Sequence, residues 1–155
     1  MWFAKFGLVL ALAIWLGETV FLSLVAAPTL FRNMPSPAEA GQVMTLLFPA
    51  YYWLGAACGL VVAVCSLLLW RRTAPPNRAW PLAAAVAAVG MIGCLYAGQV
   101  MLPRTAELRA EMRAEAEPGA ARSEFDRLHR RAVQLNVGVL LLTLAAAGAV
   151  AQRLR

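Results

Sequence analysis

An apolar run over residues 2–31, broken near its middle by the single carboxylate of Glu18, constrains this chain more than any other feature. In a helix rising roughly 1.5 Å per residue, such a run exceeds the ~20 residues that cross a bilayer core. No soluble domain of this size hides a helix so long and so apolar, so the run reads as a membrane span. A carboxylate at that depth costs several kcal/mol when it faces lipid. Glu18 is therefore expected to point inward, toward partners supplied by the rest of the chain.

Three further apolar segments supply those partners. With 61% hydrophobic and 14% charged residues, the 155-residue chain has the profile of a polytopic membrane protein. The expected fold is all-α: a four-helix transmembrane bundle, one integral domain over 1–155. Spans are expected at about 3–31, 47–70, 80–102 and 131–151, with a charged helical hairpin extension over about 103–130, between the third and fourth spans. The net charge of +6 gathers at the ends of the apolar runs, which is membrane anchoring and not a nucleic-acid footprint. Lys5 ahead of an apolar run ending in Val25, Ala26 and Ala27 also fits a cleavable signal. Against that, the run is longer than the roughly 7–15 residues of a signal core, it holds Glu18, and Pro28 follows the cut.

Local signals punctuate the spans. Pro28 is expected to loosen the end of the first. Ser36-Pro37-Ala38-Glu39 reads as a capping box that opens a short amphipathic piece. That piece leads to Phe48, Pro49, Tyr51, Tyr52 and Trp53, where Pro49 should bend the chain and the aromatic residues suit the membrane interface. Gly55 and Gly59 form a GxxxG, extended by Ala63, which marks either an internal packing face or a face for a homo-oligomer. Arg71, Arg72, Pro75, Pro76, Asn77 and Arg78 make a basic turn between Trp70 and Trp80, which with Trp2 suit a single interface.

Pro103 ends or kinks the third span. Beyond it the chain stays helix-forming, with an Arg113–Glu117 pair, until Pro118 and Gly119. Ser123, with Asp126 three residues on, is expected to cap a returning helix, and Phe125 and Leu128 to zip against Leu108 and Met112. Lys5, Arg71, Arg72, Arg78, Arg153 and Arg155 share one side without an acid. The opposite side carries more basic residues, interleaved with acids. The acid-free clusters, set tight against the span ends, favour cytoplasmic termini in a multi-pass cell (inner) membrane.

Few residues offer themselves for chemistry. Glu18, Gln99, Arg104, His129 and Asn136 are the candidates for a polar pocket, with Glu18 inside the bundle and Arg104, His129 and Asn136 around its mouth. Cys58 and Cys94 fall near the depth of Glu18, so a soft-metal site of two thiolates and a carboxylate competes with two inert core thiols. Three cysteines, all in apolar segments and odd in number, speak against a disulfide framework. His129, the only histidine, is either a single axial haem ligand or relay group, or an interfacial residue bridging the charged hairpin. One histidine makes no bis-histidine haem site and no HxxxH completes a metal site. No nucleophile triad, phosphate loop or carboxylate pair suggests a hydrolase or a kinase, and no catalytic residue or cofactor is expected.

Taken in order, Ala27-Pro28-Thr29-Leu30-Phe31, Ala40-Gly41, Phe48-Pro49-Ala50-Tyr51-Tyr52, Leu102-Pro103-Arg104 and Phe125-Asp126-Arg127-Leu128-His129 with Asn136 form one pattern. It resembles the bacterial branch of the transmembrane protein 205-like family, a domain of unknown function, over nearly the whole chain. The resemblance implies a four-helix membrane protein without an established reaction, whose eukaryotic relatives are linked to resistance to platinum drugs. A more distant similarity is to four-helix membrane protoporphyrinogen oxidases and copper-resistance domains. Those typically use histidines within their spans, whereas this first span has Glu18 and no histidine. The leading expectation is thus binding or transport of a small or cationic solute, or a role in membrane homeostasis. A haem- or porphyrin-associated oxidoreductase and a membrane scaffold docking a partner on its hairpin are the alternatives.

Overall fold

A computed structural model describes residues 1–73, 78–114 and 119–152. The expected turn at Pro75, Pro76 and Asn77, the Arg113–Glu117 pair, the Pro118 stop, and Arg153 and Arg155 lie outside the described residues. Those described form four long helices, α1 (Trp2–Asn33), α2 (Pro37–Arg72), α3 (Ala79–Ala114) and α4 (Ala120–Ala151), each long and apolar enough to cross a membrane. The protein is a multi-pass membrane protein of the four-helix type. Helix α1 packs on α2 and α4, and α3 packs on the same two, so the helices close into a ring in chain order. Short connections make neighbours antiparallel.

Apolar side chains cover both the inside and the outside, as a bundle in lipid requires. Leu10, Ile14, Leu60, Val89, Ile92 and Leu141 face outward and are exposed, while Leu8, Leu12, Val62, Ala87, Val139 and Ala146 fill the interior. At its centre lies the indole of Trp15, 1% exposed. It reaches from α1 across the ring interior to α3. Cβ atoms added at Gly59 and Gly90 would stand 2.9 and 2.8 Å from its Cη2 atom, so these two glycines hold the space the ring occupies. Gly55 and Gly59 are therefore covered by α1 and α3 of the same chain. The GxxxG face is spent inside the bundle, and a second copy would need another surface.

Several elements differ from their sequence reading. The capping box forms, with Ser36 Oγ accepting from the Glu39 amide at 3.2 Å and Pro37 opening the helix, but in place of a short amphipathic piece the chain makes one continuous helix that runs through Pro49 to Arg72. Tyr51 and Tyr52 are buried and not interfacial, because they fall on the inner face while Trp53, the next residue, is 60% exposed. Trp80 likewise packs in the core, whereas Trp2 is exposed and stacks on Phe6. Helix α4 starts from Gly119, earlier than the Ser123 cap; Ser123 Oγ donates instead to the Ala120 carbonyl, and Asp126 pairs with Arg122.

Two prolines act alike. Ahead of Pro28 the helix widens into a π-turn over Phe21–Ala26, and ahead of Pro103 into another over Ala97–Met101. In each case the residue before the proline sends its N–H five residues back, Ala27 to Leu22 and Leu102 to Ala97. A proline ring crowds the carbonyl four residues back and offers it no donor. The wider turn shifts the register and lets both helices continue.

Candidate functional site

Two polar compartments lie inside the bundle, apart from the isolated buried hydroxyls of Ser66 and Thr143. The deeper surrounds Glu18. Both of its carboxylate oxygens are buried, and neither has a hydrogen-bond partner among the described residues. A Cβ on Gly55 would meet Cys94 Sγ at 3.0 Å, Glu18 Oε1 at 3.1 Å and Trp15 Nε1 at 3.2 Å, so three polar atoms from two other helices converge over one bare stretch of α2. Thr19 donates from Oγ1 to the Trp15 carbonyl at 2.8 Å, closing a helical turn beside the carboxylate, and Tyr51 is buried close by. Cys58 and Cys94 both lie within the electrostatic reach of Glu18. Among the described residues, however, no three His, Cys, Asp or Glu side chains are placed to share a metal ion.

The second compartment lies where α3 and α4 leave the apolar zone. It is a cavity of about 70 Å³ walled by Thr45, Tyr52, Thr105, Arg109, His129 and Asn136, with Phe48 and Met101 among its apolar neighbours. Arg109 dominates it. Its Nη1 donates to the Gly41 carbonyl and to Thr45 Oγ1, and Thr45 in turn donates to the same carbonyl at 2.8 Å. The guanidinium lies over the Phe125 ring, 5.3 Å from its centroid, and Phe125 stacks on His129. Burial, and then the nearby charge of Arg113, push the Arg109 guanidinium below its ordinary pKa. Tyr52 interacts with Asn136 on α4 and packs its Cβ edge against Gly98 in the second π-turn. Tyr51 and Tyr52, with ring centroids 5.0 Å apart, join the two compartments.

The sequence candidates separate accordingly. Glu18 lies in the inner compartment, and His129 and Asn136 line the outer one. Gln99 is exposed on the outside of the second π-turn. Arg104 belongs to neither compartment. Its guanidinium is gripped by Glu124 through Nε and Nη2 at 3.1 Å, by Glu107 at 3.1 Å and by Glu111 at 3.4 Å, tying the hairpin together on its outer face. These carboxylates, Glu107 first, hold its pKa above the ordinary arginine value. Sequence reasoning missed Arg109, Thr45 and Gly41. The signal was partial: Gly41 and Thr45 stand four residues apart and so share one helix face, but nothing local pairs that face with Arg109.

No curated protein and no solved structure matches the chain. A family model does, over residues 10–114, a stretch holding Glu18, Gly41, Thr45, both tyrosines, Cys94 and Arg109 and ending before His129 and Asn136. As that match spans well over half of the 155 residues, the chain belongs to the family described as Domain of unknown function (DUF4149).

Proposed function

We propose that the protein binds a small molecule inside its four-helix bundle, with Glu18 as the group that holds the ligand's positive charge or shares its proton. The observation that carries this reading is the Glu18 carboxylate, whose two oxygens are buried without a hydrogen-bond partner among the described residues. A carboxylate left alone in a low-dielectric interior is costly, and chains keep one inside a membrane where it meets a proton, a cation or a substrate. Trp15 Nε1 and Cys94 Sγ are the polar atoms that converge with it, and Trp15 and the two tyrosines supply apolar surface. This is the mixture that small-molecule sites use. The resemblance to the transmembrane protein 205-like family, itself without an established reaction, is part of the proposal. So is the placement of the termini on the cytoplasmic side, which rests on the acid-free cluster of Lys5, Arg71, Arg72 and Arg78.

The test compares detergent-purified protein with its Glu18→Gln variant. Absorption spectra, metal analysis and mass spectrometry of extracted small molecules are recorded for both. A co-purifying molecule that the wild type carries and the variant lacks supports the reading. Identical extracts from two equally stable proteins would reduce Glu18 to a packing residue.

A further inference from the structure

The hairpin distributes its charges unevenly. Three carboxylates, Glu107, Glu111 and Glu124, converge on Arg104, which lies on the outside. Arg109, half-buried and lining the outer cavity, receives none of them, and among the described residues no acid lies within ion-pair distance of it. A cationic side chain taken partly out of water without a counter-charge is expensive to keep. The neutral contacts that Arg109 does make position it without balancing it. Gly41 O and Thr45 Oγ1 occupy Nη1, and Phe125 supports one face of the guanidinium. Nothing among the described residues takes the Nε and Nη2 edge, which is the fork that grips an oxyanion with two parallel hydrogen bonds. A Cβ on Gly41 would lie 3.1 Å from Nη2 and 3.3 Å from Cζ, so the guanidinium reaches this place because the residue beneath it is glycine.

The remaining walls suit the same guest. Tyr52, Asn136 and His129 bring polar groups to the cavity, while Phe48 and Met101 bring apolar ones. At about 70 Å³ the cavity has room for a single phosphate or a group of that size. Its lining runs from the apolar span ends, at Ala97, Met101 and Val133, to the charged hairpin, at Arg109 and His129, and the end of an apolar span is where lipid headgroups are met. We infer that this cavity is an anion site for a phosphate-ester oxyanion gripped by Arg109. A membrane lipid headgroup and a free phosphate share that chemistry. The inference is independent of the role proposed for Glu18.

The experiment uses the full-length protein, delipidated in a neutral detergent. Native mass spectrometry follows retention of phosphatidylglycerol, phosphatidylcholine and inorganic phosphate, in wild type and in Arg109→Gln, Arg109→Lys and Arg104→Gln variants. Wild type and Arg104→Gln should retain phosphatidylglycerol alike. Arg109→Gln should lose about ten- to a hundredfold in affinity, the worth of charge-assisted hydrogen bonds, and Arg109→Lys, keeping charge but not the fork, should fall between. Retention of phosphatidylglycerol identifies the lipid as the source; retention of phosphate without lipid identifies a free anion. If Arg109→Gln fails to fold, the comparison of Arg109→Lys with Arg104→Gln decides. No retention of either anion by the wild type, or equal losses in the Arg104 and Arg109 variants, would overturn the inference.

Discussion

Replacing Gly90 by alanine tests whether the Trp15 indole is the fixed centre of the bundle. An added Cβ would lie 2.8 Å from Trp15 Cη2 and 3.1 Å from Cζ2. Carbon atoms settle at about 3.5–4.0 Å, so the ring would have to withdraw by roughly 0.7–1.2 Å. It has little room to do so. The same Cη2 atom is hemmed by Gly59, where a Cβ would stand at 2.9 Å, and the side chain is 1% exposed. Overpacking of this kind costs about 1–3 kcal/mol, against which alanine's better helix propensity returns about 1 kcal/mol. Gly148→Ala is the reference, because a Cβ there meets nothing within 4 Å and only the propensity gain applies. Unfolding in mixed detergent micelles should place the two variants about 1–3 kcal/mol apart, with Gly90→Ala the weaker. In a Trp15→Phe background, whose smaller ring no longer reaches Gly90, the gap should close, and the double-mutant cycle measures that coupling directly. Equal stability of Gly90→Ala and Gly148→Ala in the wild-type background would refute the reasoning, since the indole would then be free to move.

The same geometry sets three further outcomes. Ser36→Ala removes the side-chain acceptor for the Glu39 amide and should lower stability by about 1 kcal/mol in a denaturant titration, with Ser36→Gly losing less. Leu108→Ala empties a fully buried position between α3 and α4 of the hairpin; it should cost about 2–4 kcal/mol locally, seen as faster hydrogen exchange there with exchange in the spans unchanged. Thiol labelling followed by mass spectrometry should modify Cys65, which is only half-buried, well before Cys58 and Cys94, which are 5% and 3% exposed; early labelling of Cys94 would contradict its position beside Trp15 and Glu18.

How much of this was legible in the sequence depends on the kind of signal. The four spans, the inward Glu18, the charged hairpin and the Ser36 cap rest on length, hydropathy and local chemistry, and each appears in the fold. Which arginine enters the bundle was not legible. Arg104 and Arg109 sit five residues apart on the same helix, in the same mixture of Ala, Glu and Arg, and local pattern makes Arg104 the natural choice because it adjoins the span. The decision is made by tertiary partners. Glu124, twenty residues away on α4, captures Arg104 on the outside, and the bare backbone of Gly41, sixty-eight residues away on α2, admits Arg109 on the inside. The aromatic cluster at 48–53 misled for a similar reason. Aromatic residues near a span end suit the interface by composition, but only the phase of the continuous helix shows that Tyr51 and Tyr52 turn inward.

The two prolines bear on the level at which the polar compartments lie. Proline in a spanning helix leaves the carbonyl four residues back without its donor, an expense that lipid will not relieve. Here the cost is met by a π-turn in each case, one following Glu18 along α1 and the other following Cys94 along α3. The backbones of α1 and α3 are not neighbours in the ring, and the turn on α3 lies against both α2 and α4. On α3 the effect is visible: the turn presents Gly98 to Tyr52, which occupies the space a side chain would have filled and so sits against Asn136 on α4. The tyrosine pair that joins the inner compartment to the outer one thus packs against the turn that precedes Pro103. A Pro103→Ala variant, free to return to regular helix, should withdraw that turn and shift Gly98 from Tyr52. Loss of anion retention at the Arg109 cavity, with Arg109 itself unchanged, would be the measurable consequence; retention as in wild type would show that the cavity stands without the turn.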